Sequence, residues 1–307
     1  MTPVLTIALP IFAIIGAGFT GARLGLMTAD DSKALNKFVF QFAMPAALFG
    51  LTSTTPPPGS ADAALAGAYA TAAAIGIFGG YFLAKKLFNL TGPQAGAHGF
   101  TATLGNAVFL GLPIALTLDG WARPYVVLML IEGIFVIAIG AALMTDRSSN
   151  DKSPLSFFAG PFRNPLVLGV AAGFVYSASG IPLPIPVESF FKILGRAAGP
   201  TALFSLGVFL ATHQFPKLTK VAGRVSLIAS IKMIMLPIIA LVMAYQLGIS
   251  DPTYLGALAL FVFVPAGVGT FVMASQYGVA QTEVASAVLV TTIISIFTIS
   301  GVLMFFV

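Results

Sequence analysis

The chain has 307 residues, of which 58% are hydrophobic and 8% charged, and its mean hydropathy is +0.98. A soluble core of this length cannot bury so much apolar surface, so the composition predicts an integral membrane protein. The absence of cysteine excludes disulfides and thiolate metal sites, and with only two histidines we expect no metal and no cofactor. Despite a net charge of +5, we expect no nucleic-acid partner, because the basic residues are scattered through short loops.

Ten apolar segments are long enough to cross a lipid bilayer. We interpret the first as a retained span rather than a signal peptide, because no Lys or Arg precedes it. The sequence therefore predicts an all-α membrane protein with ten transmembrane helices. In chain order the predicted spans are 3–23, 34–52, 62–84, 96–118, 122–144, 163–180, 189–212, 222–247, 253–276 and 281–307.

Basic residues border the loops unequally on the two sides of the predicted spans. The side with the excess is predicted to be cytoplasmic, which places both termini on the non-cytoplasmic side. The excess consists of Arg23, Lys33, Lys37, Lys85, Lys86, Arg147, Lys152, Arg163, Lys217, Lys220 and Arg224, against Arg123, Lys192 and Arg196.

The two halves of the chain resemble each other at an offset of 155 residues. This register aligns Pro10 with Pro165, the triplet 17–19 with 172–174, Gly25 with Gly180, and "MPAALF" (44–49) with "GPTALF" (199–204). We therefore divide the chain into a first five-helix repeat (1–147), a polar cytoplasmic connection (148–162) and a second repeat (163–307). Five is an odd number, so the second repeat is inverted in the membrane, as in many secondary transporters.

Spans four and nine contain helix-breaking residues. Proline removes a backbone donor and clashes with the preceding turn, so Pro113 and Pro265 predict an interruption in each span. Irregular backbone is tolerated at membrane depth only against protein or a watery cavity, which predicts a substrate site at the midplane. The structural alternative is a pair of proline kinks and an asparagine that bonds a neighbouring helix. The candidate substrate-binding residues here are Asn106, Gly111, Pro113, Pro265, Gly267, Gly269 and Thr270.

Two charged residues lie deep within predicted spans. Glu132 and Lys232 are functional candidates because an intramembrane charge is costly unless it is paired or hydrated. Three roles stay open: a structural charge pair, a proton-carrying Glu132, and a Lys232 that counters an anionic substrate. Gln41, one turn before Pro45, either lines the site or bonds a neighbouring helix.

Six blocks of sequence resemble the auxin efflux carrier family along nearly the whole chain. They are "LNKFVFQFAMPAALFGL", "LGNAVFLGLPIAL", "RNPLVLGVAAGFV", "AAGPTALFSLGVFLA", "IKMIMLPIIA" and "PAGVGTFVMASQYG". The likeness is to compact bacterial members, since the long cytosolic loop of plant carriers is absent, and it implies a bacterial inner membrane protein. The implied fold is that of bile acid symporters, with spans 1, 2, 6 and 7 as a scaffold and spans 3–5 and 8–10 as a moving core.

The resemblance also implies roles for individual residues. The family's span-four asparagine and crossover proline match Asn106 and Pro113, and the first proline of its span-nine block matches Pro265. The second proline of that block is Thr270 here, and Ala43–Met44 replaces an asparagine-rich stretch of the plant carriers. The substrate therefore stays open between an auxin-like aromatic acid and a dicarboxylate such as malonate.

We interpret the chain as a secondary transporter of a small organic anion that works by alternating access and can be coupled to protons. The alternatives are a sodium-coupled symporter of the same fold and a passive anion uniporter or channel. No nucleotide-binding loop and no constellation of catalytic residues is visible, so we expect neither direct ATP drive nor an enzyme. Small-residue faces around Pro45 and Pro200, in spans 2 and 7, could form a homodimer contact.

Overall fold

The computed structural model describes residues 2–54, 59–145, 165–212 and 221–307, and every regular element in these ranges is helical. The predicted connection 148–162 and several of the loop cations, together with His213, lie outside the described residues. The helices are α1 (Thr2–Arg23), α2 (Ala29–Ser53), α3 (Ser60–Phe88), α4 (Gly92–Thr101), α5 (Leu112–Ala115), α6 (Ala122–Met144), α7 (Pro165–Ala178), α8 (Ile185–Thr212), α9 (Ala222–Gln246), α10 (Pro252–Phe263), α11 (Val268–Tyr277) and α12 (Gln281–Phe306).

Six of these helices are long and apolar enough to cross a membrane: α2, α3, α6, α8, α9 and α12. The prediction of an all-α integral membrane protein is therefore confirmed, while the arrangement of ten spans as inverted repeats stays a prediction. The segments predicted as spans four and nine are each divided, span four between α4 and α5 and span nine between α10 and α11.

Short π-helical turns interrupt four of the apolar segments, at Val39–Ala43, Ala107–Gly111, Glu132–Val136 and Ile231–Met235. The turns in α2, before α5 and in α9 end two residues before Pro45, Pro113 and Pro237, respectively. Because proline cannot donate to the carbonyl four residues earlier, the hydrogen-bond ladder lengthens just before it. The turn in α6 has no such proline, and nothing in the structure explains it.

The interruption of span four lies earlier than the sequence predicted. The chain leaves the helix at 102–106, whereas Pro113 lies in α5, two residues after the π-helical turn Ala107–Gly111 with which the helix resumes. In span nine the interruption falls at Pro265 as expected, between Phe263 and Val268.

Helices from the two halves of the chain pack against each other through glycines. α1 packs on α8, where Gly18 faces the Phe204 carbonyl, and α7 packs on α2, where Gly173 faces the Phe49 carbonyl. A side chain at either glycine would collide with that backbone, so glycine permits the close approach. The offset of 155 residues relates these two contacts to each other. Gly173 follows Gly18 by 155 residues, and Phe204 follows Phe49 by the same number.

Candidate functional site

The two interrupted segments cross and bond to each other through their backbones. The Asn106 N–H donates to the Pro265 carbonyl at 2.8 Å, and the Gly267 N–H donates to the Leu104 carbonyl at 3.0 Å. These bonds form a short antiparallel bridge centred on Gly105 and Ala266. The bridge provides partners for part of the backbone that leaves the helices, which a membrane interior requires.

Glycine is needed where the two interrupted segments contact each other. A Cβ on Gly267 would lie 2.6 Å from the Gly105 carbonyl oxygen. A Cβ on Gly105 would lie 2.7 Å from Cγ2 of Val264, 3.3 Å from Nζ of Lys232 and 3.5 Å from Oε1 of Glu132. The crossing is therefore packed against Glu132 and Lys232, the two charged residues predicted to lie deep within spans.

Side chains from neighbouring helices hold the backbone of each segment. Glu132 Oε1 accepts from the Gly105 N–H at 2.8 Å and from the Tyr69 hydroxyl at 2.9 Å. In the other segment, Thr291 Oγ1 accepts from the Ala266 N–H at 3.0 Å. Sequence reasoning missed Tyr69 and Thr291, because a lone tyrosine or threonine in an apolar span carries no distinguishing signal.

Lys232 is fully buried, and its Nζ donates to the Val262 carbonyl at 3.4 Å, at the end of α10. Within the described residues, Lys232 and Glu132 are not joined by an ion pair of 4 Å or less. They nevertheless face the same point beside Gly105, so each reduces the electrostatic cost of burying the other. The structure brings the two predicted charges together at the crossing without a direct contact between them.

A cavity of about 610 Å³ opens beside the crossing. Its walls are largely apolar, and its few polar side chains are those of Asn36, Lys37, Asn106 and Glu132. Asn106 is 2% exposed, and its Nδ2 atom has no hydrogen-bond partner. A buried amide donor without a partner is costly, so a ligand that accepts a hydrogen bond would be stabilised there. Val268 and Gly269, at the N-terminus of α11, line the same cavity, and this helix end adds partial positive charge.

The remaining predicted substrate-binding residues lie in different surroundings. Gly267 and Gly269 line the cavity, and the Thr270 hydroxyl donates to the Gly267 carbonyl, which braces the start of α11. Gly111 faces the Tyr125 hydroxyl, and Pro113 lies against Gly199 of α8.

On α2, Met44 is buried in the core but does not line the main cavity. Gln41 lines a separate groove between α2, α7 and α8 rather than the main cavity. The structure therefore does not bring Gln41, Met44, Gly111 and Pro113 into the cavity with Asn106.

Two clusters of charged residues join the ends of helices. Asp62 accepts from Arg123 at 2.8 Å and from the Tyr254 hydroxyl at 2.9 Å, which links the starts of α3, α6 and α10. Arg224 donates to Glu283 at 2.7 Å and links the starts of α9 and α12. Within the described residues, no group of three or more His, Cys, Asp or Glu side chains could hold a metal ion.

Known proteins resemble this chain over almost its full length. The model of a family described as "Membrane transport protein" matches residues 3–303. A "Putative malonate transporter" of Rhizobium meliloti is 28% identical over 99% of this chain and 96% of its own length. "Uncharacterized transporter YfdV" of Escherichia coli is 24% identical over 88% of this chain and 87% of its own length.

A mouse "Lysosomal cholesterol signaling protein" is 26% identical over 92% of this chain, which corresponds to 35% of that longer protein. The family and these bacterial relatives are membrane transporters and not enzymes. The match to the family model confirms the resemblance found in the sequence: the chain belongs to the auxin efflux carrier family of membrane transport proteins.

Proposed function

We propose that the protein is a secondary transporter that carries a small organic anion across a bacterial inner membrane by alternating access. The name of the Rhizobium relative supports a carboxylate as the substrate, and malonate is the first candidate. The observation that carries the proposal is the unpartnered Asn106 amide in the cavity beside the crossing. Its N–H can donate to a carboxylate oxygen, and the α11 N-terminus favours negative charge.

An inverted repeat of ten spans is part of this proposal, and the contacts at the crossing support it. The two backbone bonds of the bridge are equivalent at an offset of 161 residues. The donors, Asn106 and Gly267, are 161 residues apart, and so are the acceptors, Leu104 and Pro265. An offset of about 160 likewise relates the Glu132 contact with Gly105 to the Thr291 contact with Ala266. Two segments related by a pseudo-twofold axis in the membrane plane produce this pattern.

Alternating access in this protein would move the crossing, together with the helices that hold it, relative to α1, α2, α7 and α8. The glycine contacts of α1 with α8 and of α7 with α2 support a rigid scaffold. The crossing is braced instead by α3, α6, α9 and α12, which carry Tyr69, Glu132, Lys232 and Thr291. The substrate would be held between these two groups of helices.

Binding of malonate to the detergent-purified protein tests the site. We expect malonate to raise the melting temperature of the wild type, and Asn106→Ala to remove most of this shift without lowering the folded yield. Thr117→Ala is the matched control, because Thr117 is also a polar residue of span four but lies outside the cavity. An unchanged shift in Asn106→Ala would exclude the amide from the site.

Transport assays in proteoliposomes separate the proposed carrier from its alternatives. A carrier exchanges labelled for unlabelled malonate faster than it releases malonate into an empty medium, and a channel does not. A sodium symporter would require Na⁺ for uptake, whereas proton coupling through Glu132 predicts uptake driven by a pH gradient. In that case Glu132→Gln abolishes the response to the gradient and leaves malonate binding intact.

A further inference from the structure

The main cavity has a second polar region, formed by Asn36 and Lys37 on α2. Leu48, twelve residues after Asn36 on the same helix, also lines the cavity, so the cavity follows α2 for roughly 18 Å. Apart from Asn106 and Glu132, the other described side chains that line the cavity are apolar, among them Phe40, Met129 and Ile137. A carboxylate that passes through the cavity therefore meets side-chain hydrogen-bond donors in only these two regions of the described lining.

A hydrogen bond from α8 fixes the orientation of the Asn36 side-chain amide. Its Oδ1 atom accepts from the Ser205 hydroxyl at 2.7 Å, and Ser205 is completely buried next to Ser32. Because the oxygen is occupied by Ser205, the amide nitrogen is the group that Asn36 presents to the cavity. Asn36 therefore offers an N–H donor from α2, as Asn106 does from the crossing.

Lys37 supplies the positive charge of this region. Within the described residues it forms no ion pair, whereas Lys33, one turn earlier on the same helix, pairs with Asp30 at 2.8 Å. Glu132 also lines the cavity, but its Oε1 atom is already bound to Tyr69 and Gly105. Among the described residues that line the cavity, Lys37 is thus the one cation.

We propose that Asn36 and Lys37 form a second anion-binding subsite, which receives the carboxylate of the substrate before it reaches Asn106. This inference rests on the proposed function, because it assumes that an organic anion enters the cavity. The Lys37 ammonium attracts the anion within about one Debye length, which shortens as the salt concentration rises. The Asn36 amide adds a directed hydrogen bond. The two subsites lie on α2 and at the crossing, so a relative movement of these elements would separate them.

Isothermal titration of the purified wild type with malonate, at low and at high salt, tests this subsite. We expect Lys37→Gln to weaken malonate binding about tenfold in dilute buffer and about threefold at high salt, where screening already reduces the attraction. Asn36→Ala should weaken binding at both salt concentrations. Lys33→Gln is the matched control: it removes a lysine of the same helix that is outside the cavity, and malonate affinity should not change.

The Asn106→Ala variant distinguishes two subsites from one. We expect it to retain weak, salt-sensitive malonate binding, which the double variant Asn106→Ala/Lys37→Gln should lose. Wild-type affinity in both Lys37→Gln and Asn36→Ala would overturn the subsite and leave the proposed function standing. No detectable binding of any tested mono- or dicarboxylate by the wild type would overturn both.

Discussion

The backbone of Asn106 is bonded to the other interrupted segment, whereas its side-chain amide nitrogen is available to a ligand. Its N–H donates to the Pro265 carbonyl, which fixes the position of the residue, while its side-chain Nδ2 remains without a partner. A crossing of two backbones provides this combination because the bridge orients the side chain without using its donors. The same bridge requires residues without side-chain bulk next to Asn106.

Gly105 is a residue of the crossing where added bulk should be harmful. A methyl group there would lie 2.7 Å from Cγ2 of Val264 and 3.3 Å from Nζ of Lys232, and both distances are too short for an unstrained contact. We therefore expect Gly105→Ala to lower malonate transport at least tenfold and to lower the melting temperature. Gly301→Ala is the control, because no atom lies within 4 Å of the position its Cβ would take. Normal transport by Gly105→Ala would show that the crossing is more loosely packed than described here.

Thr291 and Thr292 provide a test of backbone support that uses two adjacent residues. Each hydroxyl donates to the carbonyl four residues earlier in α12, but only Thr291 also accepts from the Ala266 N–H. Thr291→Val leaves that N–H buried without an acceptor, which costs about 1–3 kcal/mol. We expect Thr291→Val to lose clearly more thermal stability than Thr292→Val. Equal losses would mean that the contact with Ala266 contributes nothing.

Among the elements, the π-helical turns set the directions of the polar side chains in the membrane. Gln41, Glu132 and Lys232 lie within such turns, and Asn106 immediately precedes one. A π-helical turn holds one residue more than an α-helical turn, so the residues before it rotate by about 100° relative to those after it. Three of the four turns are followed by a proline, so in these three segments a residue visible in the sequence accounts for the rotation.

Pro237→Ala should convert the π-helical turn of α9 to regular helix. Alanine restores the missing N–H, the helix gains its ordinary ladder, and the direction of Lys232 relative to the rest of α9 changes. We expect a folded protein of unchanged or higher thermal stability whose malonate transport is strongly reduced. Pro252→Ala is the control, because Pro252 lies in the first turn of α10 and displaces no internal bond. Full transport by Pro237→Ala would separate the π-helical turn from function.

At the scale of the whole molecule, the sequence predicted the membrane class, the helical architecture and the site of one interruption. Hydropathy and proline are local signals, so they identify apolar segments and the break at Pro265. They did not reveal that span four opens at 102–106, because the stretch "ATLGN" contains no proline and its opening depends on the bonds that span nine supplies. The grouping of Tyr69 with Glu132 was missed for the same reason: 63 residues separate them in the chain.

The two charged clusters bear on which helix ends share a face of the membrane. The predicted orientation places the starts of spans three, five and nine outside, and Asp62, Arg123 and Tyr254 do lie together. It places the starts of spans eight and ten inside, where Arg224 pairs with Glu283. Ion pairs between helix ends are favourable only when those ends reach the same membrane face, so both clusters agree with the predicted order of the ten spans, whereas the side that is cytoplasmic is predicted from the loop cations alone.

Cysteine labelling can test this orientation directly, because the chain has no cysteine of its own. Ser250 lies in the exposed turn before α10, and Leu26 is 74% exposed in the turn after α1, so single cysteines at these positions should not disturb packing. In intact cells of the expressing bacterium, we expect a membrane-impermeant maleimide to label Ser250→Cys and not Leu26→Cys. Inside-out vesicles should show the reverse. Because an odd number of spans in each repeat is what inverts the second repeat, labelling of both positions from one face would contradict the ten-span topology and the pseudo-twofold crossing derived from it.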